Sequence, residues 1–176
     1  MIKPNFSECQ LQQLVNIEIV MRIYSLNKNI YIPIIINPLE EHKLGWDTAF
    51  YFPWLFLPQH QTHRGCNFFI QYKLSKIIEG HRGKEWICWR KPYLIFQIPY
   101  PTKDGNNKHY YDNYNQFDNL KELSNKGYYV YYATNHIVYD YELFSIAKDQ
   151  RLVEEIPLLD VSMIKNRHKN VTFTRD

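Results

Sequence analysis

Two apolar runs, each touched at one end by polar groups, constrain this chain more than any other feature. Gly45-Trp46-Asp47 opens the run Thr48-Ala49-Phe50-Tyr51-Phe52. Gln71-Tyr72-Lys73 closes the run Asn67-Phe68-Phe69-Ile70. Aromatic and β-branched residues fill both runs and turn residues bound them, which predicts two strands. Gln71 and Lys73 are two apart, so on a strand they point to one face. If the first strand pairs with the second, the Asp47 carboxylate can reach that face. Polar groups set into apolar strands are costly unless they are paired or bind something. An acid beside an amide and an ammonium is suited to holding a divalent cation and a phosphate.

The rest of the chain supplies a frame. Asn5 or Ser7 caps a predicted helix running to about Tyr24, with Leu11, Leu14, Val15, Val20 and Ile23 as its apolar stripe. Ile30–Ile36 is extended, and Pro33 makes it an edge strand or an irregular extended segment. Asn37–Gly45 reads as a polar turn, Leu74–Ile78 as a short helix or turn, and 80–89 as a basic, aromatic loop. A proline-bounded strand is expected over Pro92–Pro99. A helix over Tyr110–Asn125 stops before Gly127 and feeds a strand, Tyr128–Ala133, an αβ unit. Asp140 caps a helix over Tyr141–Lys148, and short extended pieces follow at Val153–Met163 and Val171–Phe173. The expectation is one mixed α/β domain spanning 1–176, with a core over about 5–135 and a C-terminal elaboration over 136–176.

Size and composition narrow the function classes. The 176 residues suffice for one well-buried core. A formal net charge of +3 permits nucleic acid as a partner without requiring it. Cys9, Cys66 and Cys88 show no CxxC spacing, which argues against a disulfide framework and a zinc site. Reduced, mostly buried thiols in a cytoplasmic protein are expected. The apolar runs are too short to span a bilayer and the N-terminus lacks a signal peptide's apolar core. The ending Thr174-Arg175-Asp176 carries no stop signal, as expected of a piece of a longer chain. Nucleophile-elbow, P-loop and Rossmann patterns do not occur.

An N-terminal helix, a strand carrying Gly45-x-Asp47 and a strand ending Gln71-x-Lys73 together resemble the PD-(D/E)XK, restriction endonuclease-like nuclease superfamily. The form is similar to variants with Gln in place of the (D/E)xK acid. The resemblance covers roughly residues 5–135 and implies a mixed central sheet flanked by helices, with metal-dependent hydrolysis of phosphodiester bonds. DNA is the implied substrate, Mg2+ or Mn2+ the implied cofactor, a restriction or antiviral defence system the implied setting, and a sensor domain or partner protein the implied companion; a partner or homodimer interface on the aromatic surface is a separate expectation. By the resemblance Asp47 holds the metal, Gln71 positions metal or water, and Lys73 orients the water and offsets charge on the phosphate. Gln71 leaves the site one carboxylate short. Glu18, in the first helix, and Glu41, six residues before Asp47, are the candidates to supply it. Basic residues Arg82, Lys84, Arg90 and Lys91, interleaved with Trp86 and Trp89, are candidate nucleic-acid contacts; His60 and His63 are weaker ones. The competing expectation is a catalytically inactive nucleic-acid-binding or interaction module on the same fold.

Overall fold

A computed structural model describes residues 1–53, 65–81, 83–98, 116–165 and 169–175, and of residues 38, 39 and 42 the backbone alone. Helix α1 spans Glu8–Asn27. Ser7 caps it in a reciprocal box with Gln10: the Ser7 Oγ accepts from the Gln10 amide at 3.1 Å, and the Gln10 side chain accepts from the Ser7 amide at 2.8 Å. Asn5 instead ties the helix entry to Asp140, with bonds of 3.0 and 2.6 Å. Strand β1 (Ile34–Ile35) is a two-residue edge, as Pro33 dictates.

The segment expected as a polar turn is a helix, α2 (Pro38–Leu44). Asn37 begins it, its Oδ1 accepting the Glu40 amide at 3.0 Å, and a proline is at home in a first turn, where its missing N–H leaves no bond unmade. Strands β2 (Thr48–Pro53) and β3 (Gly65–Lys73) then pair antiparallel, Thr48 opposite Ile70.

Leu74–Ile78 is not helical. Its end forms strand β4 (Lys76–Ile78), which pairs with β5 (Tyr93–Gln97) and is held by a bridge from Ile2 to Ile77. Trp86–Trp89 forms a single helical turn, α3, inside the expected loop. Helix α4 (Gln116–Asn125) ends before Gly127, whose φ of +87° closes it; the expected start at Tyr110 lies outside the described residues. Then come β6 (Tyr129–Thr134), α5 (Asp140–Lys148), α6 (Leu152–Glu155), β7 (Leu158–Asp160), a 3-10 turn at Val161–Met163 and β8 (Asn170–Phe173).

The central sheet has five strands in the order β1-β2-β3-β6-β7. It is mixed: β3 and β6 run parallel, and the other neighbours are antiparallel. A three-stranded sheet, β4-β5-β8, lies beside it. Alternation along the strands assigns the two faces. Phe50, Ile70, Tyr72 and Ala133 pack with Leu11 and Val15 of α1 and Leu143 and Ile146 of α5. Ala49, Phe69, Val130 and Tyr132 pack with Phe117 and Leu120 of α4 and Phe96 of β5. The molecule is therefore a mixed α/β structure with a central mixed sheet flanked by helices. Its three cysteines are free; contrary to expectation none is buried, Cys9 and Cys88 being exposed.

Candidate active site at the ends of β2 and β3

The β2–β3 register places Asp47 across from Gln71. Asp47 precedes β2 by one residue, and its amide donates to the Ile70 carbonyl at 3.0 Å. Asp47 thus continues the ladder on the face that Ala49 and Gln71 share. Its Oδ2 accepts two short bonds of 2.7 Å, from the Gln71 Nε2 and the Tyr72 amide. The Gln71 Nε2 also donates to Glu41 Oε1 and to the Tyr72 carbonyl, each at 3.2 Å. Three acceptors around that atom fix the amide's orientation. Its other end, Oε1, is buried without a hydrogen-bond partner among the described residues.

Lys73 lies two residues on, as the strand period requires, and its ammonium is 3.9 Å from Glu8 of α1. The groups form one electrostatic unit. Desolvation lifts the Asp47 carboxyl to about 7, Glu41 adds to the rise, and Lys73 and the Tyr72 amide oppose it. Glu8 is raised too, by burial first, with Lys73 pulling it down.

Helix α1 presents a polar stripe to this corner at four-residue spacing. After Glu8 comes Gln12, which donates to Thr48 Oγ1 at 3.0 Å. After Gln12 comes Asn16, which donates to Thr48 Oγ1 at 3.1 Å and accepts from the Tyr72 hydroxyl at 2.9 Å. The stripe fixes both strands from behind.

Glu18 does not belong to the site, which corrects the sequence expectation. Two residues past Asn16 means about 200° around the helix. Its carboxylate accepts from Arg22 Nε at 2.8 Å and from the Leu152 and Val153 amides at 2.7 and 3.3 Å. It caps α6, a structural task. The acid that α1 does bring to the site is Glu8, unremarked in the sequence. The four-residue spacing of Glu8, Gln12 and Asn16 was the available signal.

Glu41 does reach the site, because α2 is a helix that turns it toward β3. The structure adds Gln116, the first residue of α4, which is fully buried and donates to Glu41 Oε1 at 3.2 Å. Gly45 permits this approach. It has φ +83°, and a Cβ there would meet the Gln116 carbonyl at 2.9 Å. Among the described residues, no group of three or more His, Cys, Asp or Glu side chains is arranged to hold a metal ion. The oxygen donors gathered are two carboxylates, Asp47 and Glu41, with the Gln71 amide presenting its nitrogen to both.

Lys84 and Arg90 are exposed and Lys91 half-buried, around the α3 turn beside the second sheet; Trp86 packs against His81 with ring centroids 4.5 Å apart. Arg82, His60 and His63 lie outside the described residues. Among the described residues no helix is long and apolar enough to cross a membrane. No protein-family model, curated protein or solved structure matches the chain.

Proposed function

We propose that the chain is a metal-dependent nuclease domain with a restriction endonuclease-like core, hydrolysing phosphodiester bonds of DNA in a restriction or defence setting. The observation that carries this reading is the buried polar corner itself: Asp47, Gln71 and Glu41 in contact at the ends of two apolar strands, with Lys73 beside them. A core that needed only stability would place apolar groups there.

The donor set fits a hard divalent cation. Asp47 and Glu41 would hold Mg2+ or Mn2+ through their carboxylate oxygens, and Gln71 would add its Oε1 only with its amide turned over from the orientation seen here. When bound, such an ion polarises the phosphate and acidifies a water. The chain's own residues do the rest. Lys73, held near the sheet by Glu8, offers a positive charge to the phosphate oxygens and orients the attacking water. Glu41 and Glu8 add negative charge that favours a cation over a neutral occupant. Tyr72 and Asn16 keep Asp47 and Lys73 on their strands by locking the β2–β3 corner onto α1. Lys84, Arg90 and Lys91 would grip the phosphate backbone.

A second reading has its own observation. The Gln71 Nε2 already bridges Asp47 and Glu41, so the corner has internal hydrogen bonds without any ion. On that reading the domain binds nucleic acid or a partner and cuts nothing. Plasmid and single-stranded DNA, incubated with Mg2+, Mn2+ or EDTA, separate the two. The nuclease reading predicts cutting that needs the metal and falls by about 100-fold or more in both Asp47→Ala and Lys73→Ala. Binding without cutting under every metal, unchanged in those variants, supports the silent module.

A further inference from the structure

The Gln71 side chain is turned the wrong way for a metal ligand, and this has a use. Its nitrogen faces the two carboxylates and the Tyr72 carbonyl, while its oxygen is buried without a partner among the described residues. We infer that Gln71 is a two-position ligand: its amide nitrogen holds Asp47 and Glu41 together before a divalent cation arrives, and its amide oxygen turns onto the cation afterwards. The inference rests on the cation site proposed above and adds how that site is kept intact when empty.

Two carboxylates close together in a desolvated corner repel each other. The partly positive NH2 of Gln71 sits against both, a weak substitute for a cation. A glutamate here would have two equivalent acceptors and no donor, so the cation-free corner would hold three mutually repelling acids. Turning the amide over needs rotation about one terminal sp3–sp2 torsion, which is broad and two-fold. No strand has to move, and the Gln71 side chain is fully buried, so no outside group completes the exchange. Turning over carries the NH2 to the place where the oxygen now lacks a partner, so its two N–H donors give up the acceptors they have here, and coordination of the oxygen to a dication has to offset that loss. The residue that leaves the metal site one carboxylate short thus makes the empty site tolerable, at a cost in affinity.

The test is the Gln71 side-chain amide in 15N–1H spectra of the wild-type chain, assigned through its contacts with Tyr72 and by its loss in Gln71→Glu. The Tyr72 backbone amide, which donates to Asp47, reports independently whether the cation has arrived. In EDTA the Gln71 NH2 should show one strongly hydrogen-bonded proton. Titration with Mg2+ should shift Tyr72 and, in parallel, remove the Gln71 NH2 from its hydrogen-bonded position. A Tyr72 shift with Gln71 unchanged overturns the inference and leaves the cation site standing. No response at either residue overturns both. Gln71→Glu should also melt lower than wild type in EDTA and gain more from Mn2+; equal melting in EDTA counts against the placeholder role.

Discussion

Asp47 is a carboxylate whose ionisation the fold opposes and whose hydrogen bonds the fold supplies. Its carboxyl titrates near 7 in the folded chain against an ordinary value of 3.8. Between those values the folded chain holds a proton that the unfolded chain has released. The contribution of this group to stability is therefore full below about pH 4 and is lost as pH rises through 7. Asp47→Asn should remove that slope and melt higher than wild type above pH 7, by on the order of 1–3 kcal/mol, read by denaturant unfolding at pH 5 and 8. A cation must displace the same proton, so its affinity should fall by about tenfold per pH unit below 7; calorimetry at three pH values checks this. Asp47, Gln71 and Lys73 were legible in the sequence because a strand's period of two is rigid and apolar neighbours make polar intruders conspicuous. Glu8 was not, because choosing among a helix's acids requires knowing which face meets the sheet. Glu18 was the more buried acid and the wrong one.

At the scale of elements, α1 divides its polar residues between two tasks. One stripe, Glu8, Gln12 and Asn16, faces the β2–β3 corner. Glu18 faces α6. Glu18→Ala should strip the Leu152 and Val153 amides of their acceptor and cost about 1–3 kcal/mol, with cation binding and DNA cutting unchanged in the folded fraction. Loss of cation binding in that variant would return Glu18 to the site. The α2–α4 junction is tight for the opposite reason, that nothing fits between. Gly45→Ala should cost about 1–3 kcal/mol from its left-handed backbone and push Gln116 away from Glu41, observable as a lower melting temperature and weaker Mn2+ binding. The signals for α2 were present, since Asn37, Pro38 and the acids Glu40 and Glu41 make a helix start; the segment's shortness and polarity concealed them. Strand β4 left no comparable local signal. Lys76–Ile78 is held by β5 and by Ile2, partners far away in the sequence.

Across the whole molecule, the chain builds a central sheet with two differently dressed faces and puts its polar corner at the ends of the interior strands β2 and β3. The layout of the strands around that corner was readable, because helix, strand pair and αβ unit each carry a periodic pattern. The later chain was less so: β7 closes the central sheet and β8 joins the second, pairings that no local pattern announces. The central claim is that this corner is built for a divalent cation. A crystal soaked in Mn2+, measured for anomalous scattering, tests it directly. The account predicts one peak in contact with the Asp47 carboxylate and Gln71 Oε1, absent from Asp47→Ala crystals. A corner without a peak, with the Gln71 nitrogen still bridging Asp47 and Glu41 at saturating Mn2+, would contradict it.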